Sequence, residues 1–378
     1  MLTIGIPKET TQGETRVALS PTISKQLIKQ GFKICLEQNA GVHCCFSDKD
    51  YEESGAEIVD LKKIYQCDLI VKINPPNKKE VSMMKKGITL ISLLFPYSNA
   101  SIITMLAEKQ ANVLSLDSIP RTSLAQSMDV LSSQANLAGY KSVLLGGVEM
   151  GKIFPMLMTS AGTIKPATVV IFGAGVAGLQ AIATAKRLGA NVWVSDIRPE
   201  TKEQVASLGG KFIEVGELNN VTTEGGYVKE VSTDFLDKQK EAVLEKVIDA
   251  DLVITTALVP GKKAPLLISD EMVSKMKAGS VIVDMAVSQG GNCELSELNK
   301  VVSKHNVKIV GEGNLPATLP INASELFAKN IQNFVLHLTE GGEFKWDLED
   351  EITAGSLILK NGDIFQESLK KITTVEPA

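Results

Sequence analysis

Thr168-Val169-Val170-Ile171-Phe172 is an unbroken run of β-branched and apolar residues, and Gly173-Ala174-Gly175-Val176-Ala177-Gly178 follows it without a spacer. Residues 179–188 then carry helical spacing and stop at Gly189. Strand, glycine turn and helix in this order constrain the chain more than any other feature, because each glycine has its own task. The first permits the tight turn, the second lets backbone approach a pyrophosphate, and the third lets helix pack closely on strand. The helix N-terminus then offers free N–H groups and the positive end of its dipole to an anion. Asp196 follows Gly175 at the roughly 20-residue spacing of an acid at the next strand end. Its carboxylate would accept hydrogen bonds from an adenosine ribose and repel a 2′-phosphate, which favours NAD(H) over NADP(H). Arg198 beside it is open to two readings, attraction of a 2′-phosphate or stacking on adenine.

A strand–helix rhythm extends in both directions. Strands are expected at 2–6, 33–37, 68–73, 88–94 and 112–116, with helical spacing at 21–30 and 101–110. From 123 to 150 the pattern is a long helix without a strand. A second run has strands at 168–172, 191–195, 211–215, 251–257, 281–284 and 308–310, then a helix over 324–338. Such alternation implies parallel sheets covered by helices. The 378 residues exceed one typical domain. The expected fold is α/β, with two Rossmann-like, doubly wound parallel-sheet domains. The first comprises 1–134 and 318–378; the second, 135–317, is inserted into it and carries the nucleotide.

Several function classes are excluded early. A net charge of −5 without a basic stripe leaves nothing to neutralise nucleic-acid phosphates. The five cysteines form no CxxC pair, which points to a reducing compartment, and the three histidines show no metal-ligand spacing. No metal is therefore expected. The first residues lack the pattern of a signal peptide, and no run of about 18 apolar residues is present to span a bilayer.

Two further segments belong on the carboxyl rim of the second sheet, where ligands of open α/β folds bind. They are Thr255-Thr256-Ala257-Leu258-Val259-Pro260-Gly261 and Asp284-Met285-Ala286-Val287-Ser288-Gln289-Gly290-Gly291. Each is readable as a structural turn; together they favour a site. The long stretch 216–235, with Gly225-Gly226-Tyr227, reads either as a solvent loop or as a lid over bound nucleotide.

Across essentially its whole length the sequence resembles the family of alanine dehydrogenase and the NAD(H)-binding subunit of proton-translocating nicotinamide nucleotide transhydrogenase. The resemblance rests on Ile6-Pro7-Lys8-Glu9, Arg16-Val17-Ala18-Leu19-Ser20-Pro21, the glycine fingerprint, Ala257-Leu258-Val259-Pro260-Gly261 and Gln289-Gly290-Gly291. The two branches need different chemistry. Amino-acid oxidation needs a positioned acid and base. Direct hydride exchange between two nicotinamides needs only two rings held at roughly 3–3.5 Å with water excluded. Aligned with the dehydrogenase branch, its substrate lysine falls at Asn74, its catalytic histidine at Phe95 and an aspartate at Ser288. Only its carboxylate-binding arginine is kept, as Arg16.

The transhydrogenase branch has a positive signature in residues 120–134, which look like its Arg–Gln–Asp loop. The resemblance implies that Arg121 and Asp129 hold the nicotinamide carboxamide, with Ser132 as a further partner and Thr122, Ser123 and Leu124 lining the site. Gln126 would reach towards the partner's nucleotide. The plainer reading is a capped helix start, with Ser123 or Ser127 as N-cap. The resemblance also places Val176, Asp196, Ile197 and Arg198 around the adenosine, Ala257, Leu258 and Gln239 in the pocket, and Gly226 and Tyr227 in a mobile loop.

It thereby implies a Re/Si-specific, proton-translocating NAD(P)+ transhydrogenase subunit that uses NAD(H). Its partners would be an NADP(H)-binding subunit, a membrane-spanning subunit and a second copy of itself. It would lie in the cytoplasm, peripheral on the inner face of a bacterial plasma membrane. An amino-acid dehydrogenase and a non-catalytic NAD-binding module are the alternatives.

Overall fold

A computed structural model of the chain describes residues 1–214, 222–224, 227–230, 233–259, 262–367 and 369–370; over 222–224, 227–230 and 233–240 it describes the backbone element alone. The chain divides into two compact units, Met1–Gln134 with Ala317–Ala378, and Ala135–Pro316.

The first unit is built on an 8-stranded sheet. Its strands lie in the spatial order Asp363–Ile364, Leu357–Lys360, Asn112–Ser115, Thr89–Ser92, Leu69–Val71, Thr3–Ile6, Lys33–Glu37, Glu57–Val59. The last six run parallel, and the pair from the chain's end joins one edge antiparallel. From Thr3–Ile6 the chain winds outward to Glu57–Val59, returns to Leu69–Val71 on the opposite side, and winds outward again. The order therefore reverses between Thr3–Ile6 and Leu69–Val71, which makes their carboxyl ends the switch point of the sheet.

The second unit holds a 7-stranded sheet in the order Lys211–Phe212, Asn191–Ser195, Thr168–Phe172, Leu252–Thr255, Val281–Asp284, Val307–Val310, Val301–Lys304. All neighbours are parallel except the last pair. Here the reversal falls between Thr168–Phe172 and Leu252–Thr255. Both sheets are thus of the Rossmann-like α/β type, each with an antiparallel edge.

Alternation along the strands splits each core in two. Ile34 and Leu36 face one apolar cluster while Cys35 faces the other. Val169 and Ile171 face a third cluster, and Val170 and Phe172 a fourth. Burial on both faces explains the near-continuous apolar strands.

Three expectations are corrected. The long helix spans Val130–Glu149 instead of starting near 123, and a short 3-10 turn, Gln126–Met128, precedes it. The strand Val301–Lys304 is added; its exposed, polar-rich pattern hides it from a search for buried runs. An antiparallel hairpin, Leu157–Thr159 with Gly162–Ile164, also stands where no element is expected. Among the described residues no helix is long and apolar enough to cross a membrane.

Glycine sets how closely helices approach within the second unit. A Cβ at Gly139 would lie 2.0 Å from the carbonyl oxygen of Ala177, at the start of the helix Val176–Arg187. Backbone cannot yield as a flexible side chain would. Gly139→Ala should therefore cost about 2 kcal/mol through overpacking. The check is the urea midpoint, and an unchanged midpoint would show that the two helices can separate freely.

Candidate functional site

The glycine turn of the second unit starts at its sheet's switch point. Gly173 has φ +94°, in the left-handed region that a side chain disfavours. A Cβ at Gly178 would lie 1.9 Å from Gly173 O, so this helix can pack here only without one. Around Gly175 the space is open, with nothing within 4 Å of an added Cβ. No side chain caps the helix Val176–Arg187 that begins after it. An open backbone shelf beneath an uncapped helix N-terminus fits a pyrophosphate.

Asp196 lies just past the strand Asn191–Ser195 and is nearly buried. Its Oδ2 accepts from Ala174 N at 2.6 Å and from Arg198 at 2.9 Å; its Oδ1 accepts from Arg198 N at 2.8 Å and Nε at 3.0 Å. The acid thus clamps the glycine turn to the next strand end, and Arg198 folds back over it. Ile197 is half-buried, while Val176 and Leu258 are exposed.

Across the switch point, Thr256 Oγ1 donates to Phe172 O at 2.9 Å. Ala257 is held at both backbone groups, donating to Asn292 Oδ1 at 3.1 Å and accepting from Asn292 Nδ2 at 2.8 Å. Beneath this rim sits Asp284, fully buried. Its Oδ1 accepts from Thr255 Oγ1 at 3.1 Å and Ala286 N at 2.9 Å. Its Oδ2 accepts from Asn292 N at 2.9 Å, Cys293 N at 3.0 Å and Ser296 Oγ at 2.7 Å. This carboxylate is the knot that gathers the second rim segment. Pro260, Gly261 and Gly226 lie outside the described residues, as do the side chains of Tyr227 and Gln239. Within 216–235 the described backbone forms an antiparallel pair, Thr222–Glu224 with Tyr227–Glu230.

In the first unit, Asp129 proves to be the cap of the long helix. Its Oδ1 accepts from Ser132 N at 2.8 Å and its Oδ2 from Ser132 Oγ at 2.6 Å. The plainer reading of a cap at Ser123 or Ser127 therefore fails in its choice of residue, because Asp129 is the side chain that stands three residues before the first-turn N–H it accepts from. The preceding segment is tethered by the helix Pro320–Leu338, whose Asn330 and Asn333 amides donate to Ser127 O at 2.8 and 3.1 Å. Arg121, Ser123, Leu124 and Gln126 are exposed, or nearly so. Thr122 Oγ1 is buried and makes no hydrogen bond to another described residue.

At the first sheet's switch point lies a buried polar cluster. Arg16 makes a two-pronged contact with Glu14, both bonds at 2.7 Å, and donates to Gln134 Oε1 at 2.8 Å. Asn74 Nδ2 donates to Glu14 at 2.9 Å and Glu9 at 3.3 Å. Lys72 is paired with Glu80 at 2.6 Å. Burial pushes Glu14 up, but the hydrogen bonds and charge of Arg16 overcome it and hold the carboxyl at about 2. Burial raises Glu9, with Lys72 opposing. Beyond the cluster, Phe95 has φ +46°, its N–H tied to Asp117 at 3.1 Å. Among the described residues no group of three or more His, Cys, Asp or Glu could hold a metal.

Residues 5–138 match the N-terminal domain of the alanine dehydrogenase/PNT family, and residues 142–367 match its C-terminal domain. The chain belongs to the alanine dehydrogenase/PNT family. It is 47% identical to the first part of the NAD(P) transhydrogenase alpha subunit of Rhodospirillum rubrum, over 97% of this chain and 98% of that one. A crystal structure of transhydrogenase from Sinorhizobium meliloti superposes with TM-score 0.87 at 40% identity, covering 96% of this chain and 99% of the other. An L-alanine dehydrogenase structure superposes with TM-score 0.83 at 26% identity, covering 98% and 99%.

Within this family frame, sequence reasoning missed Gln134, Asn292, Asn330 and Asn333. Each acts through a partner far along the chain, so no local spacing reveals it. For Asp284, removal leaves buried N–H groups without acceptors, the costly case. Asp284→Ala should destabilise the chain by about 3 kcal/mol. Thermal denaturation would show it, and a loss below about 0.5 kcal/mol would mean that the rim does not hang on this carboxylate.

Proposed function

We propose that the chain is the NAD(H)-binding subunit of a proton-translocating NAD(P)+ transhydrogenase of the Re/Si-specific type. Its cofactor is NAD(H), and hydride passes directly between it and NADP(H) on a partner subunit. A membrane-spanning partner couples the exchange to protons and keeps the chain peripheral on the inner face of the plasma membrane. The observation that carries the reading is the lack of proton-handling side chains at the three positions where the dehydrogenase branch needs them. Asn74 is an amide engaged by Glu9 and Glu14, Phe95 has no titratable group, and Ser288 is an exposed hydroxyl. The high identity to the transhydrogenase subunit supports the same branch.

When bound, the dinucleotide supplies the hydride or takes it up. The chain's residues supply position. Gly173, Gly175 and Gly178 shape the pyrophosphate shelf, and Asp196, Ile197, Arg198 and Val176 surround the adenosine. Arg121, Asp129 and Ser132 orient the carboxamide, with Thr122, Ser123, Leu124, Ala257 and Leu258 beside the nucleotide. Gln126, exposed on its turn, is aimed at the partner's nucleotide. Asp129 is suited to orientation because Ser132 already fixes both its oxygens. Gly226, Tyr227 and Gln239 keep their expected roles as proposals.

In a reconstituted pair with the NADP(H)-binding subunit, Gln126→Asn should slow reduction of an NAD+ analogue by NADPH about tenfold or more. Its NADH affinity should stay nearly unchanged, since misplacement by about 1 Å costs on the order of a hundredfold where catalysis is positioning. The chain alone should oxidise no alanine with NAD+. Robust alanine oxidation by the lone chain would overturn the reading.

The proposal includes a homodimer, and the hairpin of the second unit supports it. Met156, Leu157, Met158 and Ile164 are all exposed, Met158 at 73%. A solvent-facing apolar hairpin is a ready partner surface. Met158→Asp should shift a dimer towards monomer in analytical ultracentrifugation, and a monomeric unmodified chain would dismiss the dimer.

A further inference from the structure

Two cysteines outside the proposed reaction flank Gly5 inside the unit formed by Met1–Gln134 and Ala317–Ala378. Cys35, on the strand Lys33–Glu37, stands beside Gly5 in the parallel register. Residues paired in register point to the same face. On that face a Cβ at Gly5 would come within 3.1 Å of Cys67 Cβ. Cys67 arrives from the opposite side, in the turn between the helix Leu61–Ile64 and the strand Leu69–Val71, which pairs with the other edge of Thr3–Ile6. Gly5 therefore stands between the two cysteines, and its missing side chain lets Cys67, with Ile64 O and Ile70, come down onto the strand beside Cys35. Both are buried in one apolar cluster. On the outer side, Cys35 is covered by the edge strand Glu57–Val59, only 3 residues long, with which it pairs at Glu57. Short edge strands open at low cost, so small molecules can reach the pair without global unfolding.

We propose that Cys35 and Cys67 are a reversible dithiol pair that closes into a disulfide over Gly5 when a peroxide or a low-molecular-weight disulfide is present. With hydrogen peroxide, Cys35 sulfur attacks one oxygen, the O–O bond breaks, and water leaves as Cys35 becomes a sulfenic acid. Cys67 sulfur then displaces the hydroxyl, which departs as a second water with the Cys67 proton. The two thiols lose two electrons and two protons, and the peroxide is reduced to two waters. With a small disulfide, Cys35 forms a mixed disulfide, and Cys67 resolves it by releasing the second small thiol.

The division of roles follows from the surroundings of each thiol. The neighbouring Cys67 brings the Cys35 thiol down to about 7 against the push of burial, which favours it as the attacking sulfur. Cys67, whose Sγ donates to Lys63 O at 3.7 Å, is pushed up by its neighbour Cys35 and by burial. Lys33 and Lys63, both paired with Glu57, add positive charge at the nearby surface. The bridge would tie Lys33–Glu37 to the segment entering Leu69–Val71, across the strand Thr3–Ile6 that leads to Glu9, Glu14 and Arg16.

The test uses the full chain, reduced or treated with hydrogen peroxide at neutral pH, then alkylated without reductant, digested and read by mass spectrometry. The expected result is a peptide pair joined through Cys35 and Cys67 that dithiothreitol separates. The oxidised protein should melt several degrees above the reduced form, because a cross-link narrows the unfolded ensemble. Cys35→Ser and Cys67→Ser should show neither change. Mapping of the unmodified chain is decisive even if a variant folds poorly. Folded, treated protein in which both cysteines remain free, or are joined instead to the exposed Cys45, overturns the proposal. So does a Cys35–Cys67 bridge without a rise in melting temperature.

Discussion

A parallel sheet buried on both faces leaves only its rim for polar chemistry, and this chain meets that constraint in each unit. Its strands are apolar on both sides, so neither face can carry a charge unless it is paired. The carboxyl ends are different. There the backbone turns away from the sheet, and where the strand order reverses the two departing segments diverge and leave a crevice. In one unit the crevice is bordered by a glycine shelf and Thr256; in the other it is filled by Glu9, Glu14, Arg16 and Asn74. The same topology has produced an open shelf in one unit and a closed polar cluster in the other.

Side-chain size decides between these outcomes. The glycine turn stays open because Gly175 adds nothing, while Gly178 draws the helix so close that its first N–H groups front the shelf. The polar cluster closes because Glu14 bridges Arg16 and Asn74. Within that cluster the charges are spent on one another, and the backbone strain at Phe95 is held by a carboxylate that also binds Leu94 N at 2.8 Å. Strained positions persist only where their surroundings over-determine them, and Asp117 does so here.

How much of this was legible in the sequence depended on the range of the interaction. The fingerprint was readable because turn, shelf and helix packing all lie within residues 168–189, and the acid Asp196 is one strand away. The parallel sheets were readable from apolar runs. The strand Val301–Lys304 was not, since it is an exposed edge whose partner supplies the hydrophobic side. Nor was the cap at Asp129, because serines at 123 and 127 compete for that role by type, and only the backbone decides which oxygen meets an N–H. Arg16 with Gln134, and Ser127 with Asn330, span more than a hundred positions. Residue type shows that such side chains can pair, and only the fold selects the partner. The cysteines make the same point: Cys35 and Cys67 have no motif spacing, yet the fold sets both beside Gly5.

Asp284 has a consequence for how the nucleotide rim behaves in different media. The five groups that donate to it, three backbone N–H groups and the hydroxyls of Thr255 and Ser296, carry no net charge. Dissolved ions screen attractions between exposed charges, so surface pairs such as Lys33 with Glu57 fade as salt rises. A carboxylate held by short, buried, neutral donors is nearly immune to that screening. The rim therefore keeps its shape across ionic strengths that would loosen the protein's exterior.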